Sequence, residues 1–340
     1  MIDLRSDTVT KPSQAMRKAM YEAEVGDDVY QEDSTTLELQ EYCSNLFQKE
    51  ASLFVSSGVM GNQLALRILT EPGDEIICEQ NAHIFNYESG SASALSGIQL
   101  NPVTGIRGVM NPADVADAIR PKNAYYMPYT KVIAVENSHN RASGAVIPIE
   151  NISALSNLAK ENQLYFHIDG ARIWNASIAS GITLAEYASY ADTISVCFSK
   201  GLGAPIGSLL LSTKEKIKKA FRIRKSWGGG MRQVGVLSAA ALYALKNNIN
   251  RLAEDHRRAK VIAECLADIS SVEIDMTSIQ TNIAIFSPKK LSVNAVIEEC
   301  KVHGLLLSAG SSTSVRAITH LDISDSQVEK ACSILQKVLI

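Results

Sequence analysis

The chain has 340 residues, 46% of them apolar and 20% charged, with a formal net charge of −3. That is the composition of an ordinary globular protein long enough for one large domain and a smaller one, and the balance of charge argues against nucleic acid or an anionic membrane surface as a partner. The six cysteines (Cys43, Cys78, Cys197, Cys265, Cys300 and Cys332) form no CxxC pair and read as buried free thiols rather than disulfides or a metal site. The start, Met1-Ile-Asp-Leu-Arg-Ser-Asp, is too polar for a signal peptide and no apolar run is long enough to span a bilayer, so the expected location is the cytoplasm.

Taken in order, Ser6-Asp7-Thr8 and Lys11-Pro12 form an irregular polar segment, and Ser13 is placed to cap a helix running to about Glu24. Residues 26–33, GDDVYQED, read as an acidic, solvated loop; Thr35 and Glu38 then have capping-box spacing for a helix reaching about Gln48. From residue 51 strands and helices alternate: strand 53–55, helix 58–69, strand 75–78, helix 111–119, strand 131–136, helix 152–162, strands 164–168 and 193–198, and a further strand over 206–211. Such alternation predicts a mainly parallel sheet covered on both faces, with ligands bound beyond the carboxyl ends of its strands. After Gly228-Gly229-Gly230 come helices 231–247 and 250–268, then strand 282–286, helix 292–303, strands 305–307 and 315–318, and helix 324–340. The expected boundary therefore divides a large domain, 1–248, from a small C-terminal α+β domain, 249–340, with the N-terminal segment free to contact the small domain or a partner subunit.

The polar residues at the predicted strand ends carry the chemistry. Lys200 follows a buried strand in the segment SVCFSKGLGAPIG, where loss of solvation lowers an amine's pKa and makes it a nucleophile toward a carbonyl. Alone, it reads equally well as a solvated lysine. Ser56-Ser57-Gly58-Val59-Met60-Gly61-Asn62 joins a strand to a helix and offers backbone N–H groups to a phosphate, although it is neither a P-loop nor GxGxxG. His83 after the turn 79–82 is placed to stack on a flat ring or move a proton, and His139 in ENSHN lies at another strand end. Asp169 closes the run HIDGAR, where an unpaired buried carboxylate is costly and a protonated pyridine nitrogen would satisfy it; Arg172 lies just beyond. An aspartate and a lysine on two strand ends about thirty residues apart match a pyridoxal phosphate site.

With these motifs in order, LRSDTVTKP, GDDVYQED, SSGVMGNQ, AHIFNYESG, ENSHNRASG, HIDGARIWNASIASG, SKGLGAPIGS, GGGMRQVG and THLDIS, the chain resembles the low-specificity L-threonine aldolases over nearly its whole length. The resemblance implies a pyridoxal-phosphate-dependent transferase-like fold, fold type I: an α/β large domain with a mainly parallel seven-stranded sheet flanked by helices, plus the small α+β domain. It implies Lys200 as the covalent anchor of the cofactor, with Ser199 beside it, Asp169 as the partner of the pyridine nitrogen and His83 over the ring. The cofactor phosphate would be held by Ser57, Gly58 and Val59, helped by Arg232 of a neighbouring subunit, with Arg172 also at the cofactor. Ser6, His139, Arg172 and Arg316 would face the substrate, the arginines and Ser6 on its carboxylate, with Tyr30 and Tyr87 walling the pocket, Tyr30 from the partner chain. No metal is implied, and the expected assembly is a homotetramer, a dimer of dimers that share active sites, acting on small β-hydroxy-α-amino acids. The chain departs from the family pattern at Val59, where relatives commonly carry threonine, and at Trp174, where a smaller aromatic is frequent. Other fold-type-I chemistries, such as β-elimination or transamination, share the lysine–aspartate pair, a non-catalytic scaffold would have no need of it, and a dinucleotide-dependent oxidoreductase lacks its glycine fingerprint here.

Overall fold

Strand-forming runs that are apolar on both faces need helices above and below them, and the architecture follows from that demand. A computed structural model describes residues 1–340. Seven strands, β1 (Ala51–Val55), β2 (Glu75–Glu79), β3 (Gln99–Val103), β4 (Thr130–Glu136), β5 (Tyr165–Gly170), β6 (Thr193–Cys197) and β7 (Ser208–Ser212), form one sheet in the order β1-β7-β6-β5-β4-β2-β3. Only β7 runs antiparallel to its neighbours. The expected seven-stranded, mainly parallel α/β sheet is what the chain forms.

Side chains alternate between two cores, as strand geometry requires. Phe54, Leu209 and Leu211 join the largest apolar cluster, with Phe166, Trp174 and Phe198, while Leu53, Val55 and Leu210 point the other way, against Leu64 and Ile217. A second unit packs Phe286, Val296, Leu305 and Leu335 around a four-stranded sheet, β8 (Val272–Glu273), β9 (Ile283–Pro288), β10 (Ser308–Ala309) and β11 (Val315–Ile318), in the order β8-β9-β11-β10. The N-terminus belongs to this second core: Ile2 and Leu4 are buried in it, and Ile2–Asp3 pair in parallel with Leu305–Leu306. All six cysteines are free thiols, and no helix is long and apolar enough to cross a membrane.

Several local expectations are revised. Helix Ser34–Phe47 is capped by Asp33, whose carboxylate accepts from Thr36 N (2.9 Å), and not by Thr35, whose hydroxyl donates to Glu24 O. The acidic segment 26–33 is not solvated throughout: Asp28 and Asp33 are both buried. Asp28 is paired with Arg224 at 2.6 Å, and Arg224 also donates to Phe54 O. The helix after the glycine triplet begins at Gly235, where a side chain would strike Asp33 at 2.5 Å, rather than at Met231. Helix Lys214–Ser226, two short helices (His83–Asn86 and Ser91–Ser96) and strand β3 were not expected.

The Asp28–Arg224 pair ties the acidic segment to the sheet edge. Arg224→Ala would leave the Asp28 carboxylate buried without its cation, and should cost about 3–5 kcal/mol of stability, read as a lower urea midpoint with an unchanged slope.

Candidate active site

The carboxyl ends of β2, β4, β5 and β6 deliver Glu79, Glu136, Asp169 and the Ser199-Lys200-Gly201 turn to one edge of the sheet. There a cavity of about 230 Å³ is lined by Ser57, Gly58, Val59, Asn62, His83, Asp169, Ser199 and Lys200 among others. The fold thus gathers the predicted lysine, aspartate, histidine and phosphate-binding turn in one place.

Helix Gly58–Leu69 points its N-terminus at this cavity. Ser57 caps it, with its hydroxyl accepting from Met60 N at 3.2 Å, and keeps its own proton to donate. The first-turn amides of Gly58 and Val59 lie too early in the helix for intrahelical partners, which suits an anion. A Cβ at Gly58 would come within 2.6 Å of Cys197 Sγ, so glycine is required for the helix end to sit this close to β6. Val59 contributes no hydroxyl donor.

Asp169 is 3% exposed. Its oxygens accept from Asn62 Nδ2 (2.7 Å) and the Ala171 amide (3.0 Å), both neutral, and no lysine or arginine forms an ion pair with it. A carboxylate so buried, resting on neutral donors, suits a cationic ring nitrogen. With an amine at Lys200 and the free amides of the helix end in the same cavity, the donor set fits pyridoxal phosphate at its aldehyde, ring nitrogen and phosphate.

His83 opens helix His83–Asn86. Its amide donates to Glu136 Oε2 (2.7 Å), its Nδ1 lies 2.9 Å from Glu88 Oε1, and its ring is tilted against Tyr87 with centroids 5.8 Å apart. Burial alone would lower the imidazole pKa, but the Glu88 hydrogen bond and the charges of Asp169, Glu88 and Glu136 outweigh it and raise the group above its ordinary value. Arg141 stands over the other partner of this stack, with its guanidinium 5.5 Å from the Tyr87 ring centre.

The two predicted arginines differ. Arg172 is buried and committed: Nε and Nη2 donate to the two oxygens of Asp7 at 2.9 and 2.7 Å. Arg316, on β11, has neutral partners instead, Asn140 Oδ1 (3.0 Å) and Ser308 Oγ (3.3 Å). Burial, with the Arg172 charge nearby, brings its pKa down to about 10, still protonated at neutral pH. Ser6 lies in the same N-terminal turn as Asp7, its hydroxyl accepting from Thr8 N.

His139 does not join them. Its ring is 1% exposed, packs under Gly108 and bonds Glu79 through Nε2 (3.1 Å), so it lines a separate hollow of about 380 Å³ with Arg107 and Phe286. The turn after β4 carries it away from the Lys200 cavity. Tyr30 and Arg232 also lie outside this chain's cavity, Tyr30 72% exposed and Arg232 paired with Asp27 on the outer face. Trp174 is buried under β6, donating from Nε1 to Cys197 O (2.8 Å) and packing edge-on against Phe47.

Asp7, Asn62, Glu88, Asn140 and Arg141 were not singled out from the sequence. Glu88 and Asp7 sit inside quoted motifs, AHIFNYESG and LRSDTVTKP, and the polar-in-apolar placement of Asn62 on its helix was the available signal. The fold brings side-chain atoms of His83, Glu88 and Asp169 within 4.8 Å of one another, with Asn62 Nδ2 donating to both carboxylates.

Comparison with known proteins follows the same outline. A family model described as beta-eliminating lyase matches residues 3–288. The low specificity L-threonine aldolase of Escherichia coli (strain K12) is 42% identical over 334 residues, covering 98% of each chain. The probable low-specificity L-threonine aldolase 2 of Arabidopsis thaliana is 40% identical over 343 residues, covering 99% of this chain and 97% of its own. A solved threonine aldolase of Leishmania major superposes with a TM-score of 0.87 at 18% identity over the full length of both chains, a likeness of fold.

Asp7 also carries a pH signature. Burial would raise its carboxyl, but Arg172, assisted by Lys200 and Asn282, holds it at about 2, below the ordinary 3.8. A depressed carboxylate contributes stability above its unfolded pKa and loses it as pH falls toward the folded one. Urea unfolding should therefore show a loss of about 2 kcal/mol between pH 4 and 2 from this group, and Asp7→Asn should flatten that slope.

Proposed function

The chain belongs to the beta-eliminating lyase family, among the low-specificity L-threonine aldolases, and from this we infer its activity: it cleaves L-threonine, L-allo-threonine and other β-hydroxy-α-amino acids between Cα and Cβ to glycine and an aldehyde such as acetaldehyde. The observation that carries the reading is the meeting of Lys200, Asp169 and the amide end of helix Gly58–Leu69 in one cavity. The cofactor of this reaction is pyridoxal 5'-phosphate, which when bound supplies an electron sink for the negative charge left on Cα.

The chain's own residues do the rest. Lys200 would hold the cofactor covalently through its amine. Asp169 keeps the ring nitrogen protonated, and Ser57, Gly58 and Val59 hold the phosphate, with Ser199 at the cavity wall and Arg232 of a neighbouring subunit completing the cradle. Arg316 is the principal anchor of the substrate carboxylate, because its neighbours Asn140 and Ser308 leave its charge uncompensated. Arg172, neutralised by Asp7, has only Nη1 left to assist and serves chiefly to shape that corner beside Ser6. A carboxylate held to one side would fix how the substrate's Cα–Cβ bond is presented, and orientation selects the bond that breaks. His83 then takes the proton of the β-hydroxyl, directly or through a water. Tyr87 walls the pocket, and Tyr30 reaches it from the partner. We place the assembly as a homotetramer of shared sites in the cytoplasm.

Incubation with threonine should yield glycine and acetaldehyde in equal amounts. Keto acid and ammonia instead would mark β-elimination and overturn the reading. Lys200→Ala should make no glycine above background and lose the visible absorbance of the bound cofactor. Arg316→Ala removes one charge-assisted interaction of about 1.5–3 kcal/mol, so the threonine KM should rise by roughly 10- to 100-fold with a smaller change in kcat.

A further inference from the structure

His83 is one face of a larger buried arrangement. The Glu88 side chain has no exposure, and His83 is the one basic side chain that bonds to it. Oε1 lies 2.9 Å from His83 Nδ1 and accepts from Asn62 Nδ2 (2.8 Å), and Oε2 accepts from Gln63 Nε2 (2.6 Å). The same Asn62 amide donates to Asp169 Oδ2 at 2.7 Å, so one side chain spans the carboxylate behind the histidine and the carboxylate of the cofactor site. His83 Nε2 has no partner within the chain, whereas Nδ1 is engaged.

A carboxylate removed from water costs several kcal/mol unless its donors are arranged for it. An amide would fill the same space at less cost, so the charge itself needs a reason. We propose that Glu88 is a positioning residue for His83: by accepting the Nδ1–H it fixes the ring and the tautomer in which Nε2 is left to take the β-hydroxyl proton, and Asn62 locks this pair to Asp169. The inference rests on the aldolase reading above. In the step concerned, the substrate O–H bond breaks and its proton passes to Nε2. The oxygen's electron pair becomes the second bond of the aldehyde carbonyl as the Cα–Cβ bond opens, and the pair of that bond stays with Cα. The resulting imidazolium keeps its Nδ1–H on Glu88, which stabilises the charge where it appears.

The groups that face His83 are Glu88 at Nδ1, Asp169 across Asn62, Glu136 at its backbone amide, Lys200 in the same cavity, and Arg141 behind the Tyr87 ring. Glu88 is the one carboxylate that touches the ring itself. Replacing it should therefore move the titration of His83 downward while the others stay in place.

Glu88→Gln keeps the shape and removes the charge. In the cofactor-loaded enzyme, the acid limb of the kcat/KM profile for threonine should move down by about one pH unit, kcat should fall by roughly 10- to 100-fold, and KM should stay within about threefold. Bound-cofactor absorbance should be unchanged. A second readout needs no turnover: nitrogen-15 histidine shifts of the full-length cofactor-free protein, with the His83 signal identified by its loss in His83→Asn. Wild type should show the Nδ1-protonated neutral tautomer, and Glu88→Gln a lower His83 midpoint. An unmoved limb together with an unmoved midpoint overturns the proposal, and so does an Nε2-protonated His83 in wild type, which decides the matter even if the variant does not fold. Failure of the aldolase reading is seen separately, as wild-type protein that makes no glycine from threonine.

Discussion

Negative charge is crowded into a dry place at the carboxyl edge of the sheet, and the rest of the molecule is arranged to make that tolerable. Asp7, Glu79, Glu88, Glu136 and Asp169 are all buried there. Each has its own solution: Asp7 takes an arginine, Glu79 takes His139, Glu136 takes the amides of His83 and Asn140, and Glu88 takes an imidazole and two side-chain amides. Asp169 also rests on neutral donors, sharing one of them with Glu88, but unlike Glu136 it lines the cavity beside Lys200. Of the five, Asp169 is the one that faces the Lys200 cavity, where a cation brought from outside would complement it.

The same economy separates the arginines. Arg172 and Arg316 approach each other closely enough for their charges to interact, yet one is cancelled by Asp7 and the other is left with hydroxyl and amide partners. Two cations facing the same corner would repel; neutralising one of them lets the other stay available for a carboxylate. Because Arg316 stands on the small sheet and Asn140 on the turn after β4, the Arg316–Asn140 contact exists only where the two units meet.

Much of this was legible in the chain. Lys200, Asp169 and His83, which share one cavity, are legible as candidates because each follows a buried apolar run, a local signal that survives without knowledge of the fold, and the alternation from residue 51 onward predicts the sheet. What escaped was non-local or too short. Asp7 and Glu88 acquire meaning from partners 165 and 5 residues away whose direction sequence does not give. Helix Lys214–Ser226 hid because Arg224 occupies a position that periodicity reserves for an apolar residue, its charge being cancelled by Asp28. Four- and six-residue helices after His83 are shorter than any helical period test resolves. His139 was misplaced for the converse reason: it too follows a strand, but the turn that bears it bends toward Gly108.

The pairing of Ile2 with Leu305 has a temporal side. Residues 2–3 find their strand only after residues 305–306 exist, and the segment that follows them runs past Lys200, where Thr10 Oγ1 donates to Lys200 O at 3.3 Å and Asp7 fixes Arg172. While it is being made, a nascent chain therefore carries this segment without the strand that docks it. The corner around Asp7 and Arg172 closes late, when segments far apart in sequence are joined.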